Sequence, residues 1–237
     1  MAVESDVRQL SSIGLYKLTQ VSGAYISFKI IQGQIHTMGK INAYHHGSLR
    51  LALIQAAFQV VEKKGASTLS LRDLAQDLEV SRGAPYRHFP DKDALLAAVA
   101  VQGYGLLNDD LHVINAGSYS RYEITERLGH AFFSFAHMHP YLFQVMFDPL
   151  LLSKADEGTE LGKAVEDIYT NIAELLGSSL TITDEIVKRK HLIAMWSALY
   201  GYAHLKNAHM LKPYMMSGLE QGEIEAAVIK AAFSFID

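Results

Sequence analysis

The sequence predicts an all-α protein, with three short helices at the front, a fourth that links onward, and a larger helical body behind. Three observations carry that expectation. From Met38 onward apolar residues recur at spacings of three and four, with no sustained period-two alternation. Ser, Asp, Gly and Pro punctuate the pattern where helices start and stop. No internal repeat or low-complexity tract interrupts it.

Residues 1–37 read differently. The stretch "IGLYKLTQVSGAYISFKIIQGQIH" is β-branched and aromatic. It reads as lacking the turn chemistry and the partner that a stable sheet needs, since an isolated hairpin is marginal in water. The expectation is an extension upstream of the folded domain, disordered or a start-site artefact, with a functional arm as the alternative. The first helix is predicted over Ser48 to Lys64, with Ser48 as N-cap and Gly65 as stop. Its apolar stripe is Leu49, Leu53, Ala56, Ala57, Val60 and Val61. Ser70 caps a second helix, "SLRDLAQDLEV", whose Asp73 stands where a capping box places Glu or Gln. Ser81 caps a third through His88, and Pro90-Asp91 ends it and starts a fourth from Lys92 to about Leu111. Further helices are predicted over Tyr122 to His139, Tyr141 to Phe147, Glu160 to Leu176, Asp184 to Asn207 and Leu219 to Ile236, separated by turn residues.

Composition excludes several classes. No stretch reaches the roughly 18 to 20 apolar residues that span a bilayer, and the N-terminus lacks the ordered regions of a signal peptide, so the expected place is the cytoplasm, with no membrane partner. Zero cysteine removes disulfides and thiolate metal sites. His137 and His139, or His204 and His209, do not share a helix face as i and i+4 residues do, and no HExxH frame occurs, so no metal is expected. No Gly-x-Ser-x-Gly elbow occurs either, so neither an enzyme nor a cofactor is expected. The net charge of −4 hides an asymmetry: residues 38–100 hold eight Lys/Arg against six Asp/Glu, and residues 101–237 hold ten against seventeen. Only the front segment suits a polyanion.

That front segment also reads as a helix-turn-helix. Ala75 is the small residue that lets two helices cross; Leu71, Leu74 and Leu78 face inward, Val80 plugs the turn, and Tyr86 and Phe89 anchor the second helix. Ser81, Arg82, Gly83 and Ala84 then lead a recognition helix that enters the major groove. Gly83 permits close backbone approach, and a proline in the first turn removes an N–H that lacks a partner there anyway. Arg82 suits a guanine edge, because a guanidinium bonds O6 and N7 together. Arg87 and His88 complete the segment, Ser70 marks a helix start that favours an anion, and His45 and His46 precede the first helix within reach of backbone phosphate.

The run "LSLRDLAQDLEVSRGAPYRHFPDKDALLAAV" resembles the DNA-binding segment of the TetR/AcrR family of bacterial transcriptional regulators, and the resemblance extends from Tyr44 to the C-terminus. "HPYLFQVMF" and "MWSALYGYAHL" resemble the ligand-domain signatures of a subfamily with a Trp-His-Gly-type motif, although Tyr200 stands where that motif has His. Glu79 likewise occupies a turn position where the family often has glycine. The resemblance implies phosphate contacts from Tyr86 and Lys92. It implies a DNA-binding domain over residues 38–92 and a helical ligand-binding and dimerisation domain over 93–237. Phe132, Phe135, Met138, Phe143 and Met146, facing Trp196, Tyr200 and His204, are the expected lining for a small apolar or aromatic effector. Ile193, Gly201, Leu205, Ile224, Val228 and Ala231 are the expected homodimer interface. The expected function is ligand-responsive repression at a palindromic double-stranded DNA operator. The competing reading is an acidic helical small-molecule-binding protein that keeps a degenerate helix-turn-helix as a packing element.

Overall fold

A computed structural model describes residues 15–21, 24–31, 34–40, 46–177 and 184–234. The chain divides into two units, Met1–Ala52 and Leu53–Asp237. In the first, strands β1 (Leu15–Val21), β2 (Ala24–Ile31) and β3 (Gln34–Lys40) form an antiparallel meander in that order. This corrects the expectation that the segment has no partner: its strands partner one another. Val21 pairs with Ala24 and Ile31 with Gln34. The sequence between them reads Ser22-Gly23 and Gln32-Gly33, the Xaa-Gly pairs that suit two-residue hairpin loops. A bulge sets Met38 and Gly39 opposite Ser27, so Met38 lies inside β3.

From His46 onward every regular element among the described residues is helical, as expected. Helix α1 (His46–Lys64) starts two residues before Ser48, which therefore stands in the first turn instead of capping it. Gly65, at φ 80°, ends the helix and keeps its N–H bonded to Val61 O. Leu53, Ala57 and Val61 on its stripe are fully buried. A 3-10 turn, Ala66–Thr68, leads to α2 (Leu71–Asp77), where the Ser70 hydroxyl accepts from the Asp73 N–H. Helix α3 (Lys92–Asn115) begins behind Asp91, whose carboxylate accepts from the Ala94 N–H at 2.8 Å. It runs about one turn beyond the expected end.

The larger body follows: α4 (Arg121–Met138), α5 (Pro140–Met146), α6 (Pro149–Leu152), α7 (Glu160–Gly177), α8 (Glu185–Asn207), α9 (Pro213–Met216) and α10 (Gln221–Ala232). The short α6 and α9 fall where the sequence suggested only loops, each with a proline at its first position. Ser120 and Glu123 close a capping box on α4, and those hydrogen bonds hold the Glu123 carboxyl below its ordinary range. Helix α3 packs on α5 and α7, while α4 packs on α8 and α10. α3 therefore runs from the small front domain into the core of the body. No helix among the described residues is long and apolar enough to cross a membrane.

Candidate nucleic-acid interface and effector core

The turn after α2 is built by hydrogen bonds that release the chain in a fixed direction. Glu79 N–H donates to Gln76 O and Val80 N–H to Ala75 O, the paired bonds of a Schellman ending. Glu79 takes φ 55°, a left-handed conformation that costs a non-glycine residue about 1 kcal/mol. Ala75 is fully buried beneath the crossing, and Leu71 and Leu74 are buried beside it.

The segment that follows is not the α-helix the spacing predicted. Ser81–His88 turns once, with Ala84 N–H donating to Ser81 O, and then forms a 3-10 turn over Pro85–Arg87. Ser81 is therefore not an α-helical N-cap. Pro85 is the cause: in a helix starting at Ser81 its N–H would be the donor to Ser81 O, and proline has none, so the first bond of that α-helical ladder cannot form. The next donors bond over three residues, Arg87 to Ala84 O and His88 to Pro85 O. Pro85 also replaces Tyr86 as the anchor, being buried with Phe89, whereas Tyr86 is 54% exposed.

Ser81, Arg82, Gly83, Tyr86 and Arg87 thus share an exposed surface, with Ala84 and His88 half-buried. Nothing lies within 4 Å of where a Cβ on Gly83 would stand, and its φ is not positive, so neither packing nor backbone geometry inside the described chain requires glycine there. Ser70 and Lys92 flank the segment, and Lys92 Nζ donates to Ser67 O at 3.3 Å, leaving two of its three N–H donors available. His46 opens α1, and His45 lies outside the described residues.

The expected effector residues are only partly brought together. Phe132 meets Trp196 at 5.4 Å and Phe143 at 5.6 Å between ring centroids. Phe143 stacks on Tyr200, and Tyr200 on His204. The ring joining them is Phe147, absent from the expected lining, 4.7 Å from Phe143 and 4.9 Å from Tyr200. Met146 is fully buried against Gly103, where any Cβ would overlap its sulfur. Phe135 faces His139 instead of this group. Met138, the last residue of α4, is 49% exposed and belongs to no buried cluster. Nearby, the Tyr104 hydroxyl donates to Met146 O at 2.8 Å; burial, helped by Tyr200, pushes its ionisation far above the ordinary range.

These rings fill space. The cavity beside them, lined by Leu107, Leu111, Leu128, Phe132, Met195 and Trp196 among others, holds about 20 Å³, room for roughly one water. An effector would have to part the rings. The expected interface residues lie at the surface: Ile193 is 63% exposed, Leu205 and Ala231 are exposed, and Gly201, Ile224 and Val228 are half-buried. Gly201 has open space where a side chain would be.

A helix-turn-helix head with an exposed leading segment, carried by a linking helix on a helical body, defines a DNA-binding transcriptional regulator. The family model for bacterial regulatory proteins of the tetR family matches residues 53–99, and that for the tetracyclin repressor-like C-terminal domain matches residues 125–227. Together they span more than half of the chain, and the chain belongs to the TetR family. Among solved structures it is similar to a protein of unknown function from Rhodococcus sp. RHA1, with 26% identity, a TM-score of 0.62, and coverage of 83% of this chain and 97% of that one. It is similar in fold to a TetR-family regulator described from Mesorhizobium loti, with 16% identity, TM-score 0.54 and coverage of 81% and 97%. It is likewise similar to LfrR from Mycobacterium smegmatis, solved in complex with proflavine, with 21% identity, TM-score 0.51 and coverage of 79% and 96%. Comparison with curated proteins found no match.

Proposed function

We propose that the protein is a ligand-responsive repressor of the bacterial cytoplasm, binding a palindromic operator as a homodimer. The observation that carries the DNA contact is Gly83. Glycine near a helix start raises the entropy lost on folding, and no neighbour in the described chain demands it; close approach to a DNA backbone or base edge does. Around it, Arg82 reads a base, Tyr86 and Lys92 meet phosphates, Ser70 presents a helix start to an anion, and Arg87, His88 and Ser81 frame the contact. Two such heads on a two-fold dimer read two half-sites, and the exposed Ile193, Leu205 and Ala231 with the open Gly201 on α8 and α10 support a partner helix pair there.

The aromatic group supports an apolar or aromatic effector, the class to which proflavine in LfrR belongs. Because the core is closed, binding must part Phe132, Phe143, Phe147, Trp196 and Tyr200, and it shifts the dimer by its preference for that opened state. A hydroxyl-radical footprint on the DNA upstream of the gene tests the reading. Two protected half-sites, related by symmetry and about one helical turn apart or a multiple of it, are the expected result. A single protected site or none would refute the dimeric operator reading.

A further inference from the structure

The junction between α1 and the start of α5 holds contacts that neither the DNA-facing segment nor the effector core uses. His139 is the single residue between α4 and α5, and its backbone is tied both ways. Its N–H donates to Phe135 O at 2.9 Å, and its carbonyl accepts from the Phe143 N–H at 2.8 Å. Its ring lies 5.1 Å from that of Phe135, and its Nδ1 lies 2.8 Å from Glu62 Oε2 on α1. Two residues on, the Tyr141 ring closes over the end of α1, where a Cβ on Gly65 would meet Tyr141 Cδ1 at 3.2 Å.

The Glu62 carboxylate is only half satisfied. Its Oε1 is closed from solvent and accepts no hydrogen bond from the described residues. A buried acceptor without a donor carries a standing penalty, so this contact is released more readily than a fully bonded pair. Past the end of α1 a surface cleft of about 220 Å³ opens, lined by Lys64, Ser67, Leu96, Tyr141, Gln144 and Asp148 among others.

We infer that His139 and Glu62 form a latch that carries an opening of the aromatic core to the reading head, an inference that rests on the proposed ligand response. Phe135 and Phe143 hold the His139 backbone, so displacing either helix segment turns the imidazole. Turning it breaks the bond to Glu62, in the last turn of α1, while the Tyr104 hydroxyl still ties the far end of α5 to α3. The contact has two arrangements, made and broken, which is the kind of element that coupling between distant sites requires. Both residues position the head and touch neither DNA nor effector.

Hydrogen exchange on the full chain without DNA tests the latch. His139→Ala and Glu62→Ala are each expected to speed exchange at residues 53–64 by about three- to tenfold, with α7 unchanged and the double variant no faster than either single one. His139→Asn, whose amide N–H can stand in for Nδ1–H, is expected to restore most of the protection. Phe135→Leu should speed exchange at 53–64 in the wild-type chain and add nothing in the His139→Ala chain. Unchanged exchange at 53–64, an equal rise in α7, additive effects, failure of asparagine to rescue, or an equal Phe135→Leu increment in both chains overturns the latch. Since no DNA is present, a protein that binds no operator would still show these effects, which separates failure of the latch from failure of the regulatory reading.

Discussion

The reading head and the aromatic core solve opposite problems with opposite materials. In the head, single residues decide the outcome: Ser70 starts α2, Glu79 turns the chain, Pro85 prevents an α-helix, and Gly83 keeps a surface bare. In the core no one residue decides. Phe132, Phe143, Phe147, Trp196 and Tyr200 arrive from α4, α5 and α8, and from the residue that closes α5, and pack ring against ring, with a cavity of only about 20 Å³ beside Phe132 and Trp196. The head is built for a partner outside the chain, and its surface is already exposed. The core is complete by itself, so a ligand must compete with its own side chains.

The sharpest way to break that contrast is to truncate a core ring. Phe143→Ala should cost about 3–5 kcal/mol in urea unfolding, as removal of a close-packed aromatic does. A loss below about 1 kcal/mol would show that the rings line a preformed pocket. Arg82→Ala should do the reverse, weakening operator binding by about 1–3 kcal/mol while moving stability by less than about 0.5 kcal/mol. Equal losses on operator and unrelated DNA would remove Arg82 from base reading.

Tyr104→Phe should cost about 0.5–1.5 kcal/mol for its lost hydrogen bond to Met146 O. Burial raises this phenol's pKa, with Tyr200 adding to it, so its contribution is whole below the ordinary tyrosine pKa of about 10 and declines above it as the unfolded chain ionises first. Stability should therefore fall by about 1.4 kcal/mol per pH unit for this group above about pH 10. The slope should be shallower in Tyr104→Phe. Gly83→Ala is expected to stabilise the fold by about 0.4–1 kcal/mol, together with weaker operator binding. Unchanged binding would deprive the glycine of its proposed role.

How far the sequence could be read follows the same division. Caps and turns depend on neighbours in the chain, so Ser70, Asp91, Gly65 and the small Ala75 were legible, whereas the turn at Glu79 came only through the family resemblance. Pro85 reads as tolerable at a helix start, and only the structure shows that its missing N–H falls where Ser81 O needs a donor. The meander has only a faint local signal, the two Xaa-Gly pairs Ser22-Gly23 and Gln32-Gly33, because no regular alternation of apolar and polar residues accompanies them. In the core, aromatic spacing showed which helices would meet but not which rings. Phe147 just beyond the end of α5 and Met138 at the end of α4 lie where a helical stripe stops predicting direction. The pairing of Glu62 with His139 joins residues 77 apart and left no trace in local pattern.

The most direct test of the account is a titration of the protein against the duplex upstream of its own gene and a shuffled duplex of equal length, each at several salt concentrations. The account predicts that the upstream duplex binds at least about a thousandfold tighter. Log affinity should fall linearly with log salt, with a slope shallower by about one unit in Lys92→Ala. Equal affinity for the two duplexes, or affinity that ignores salt, would contradict it.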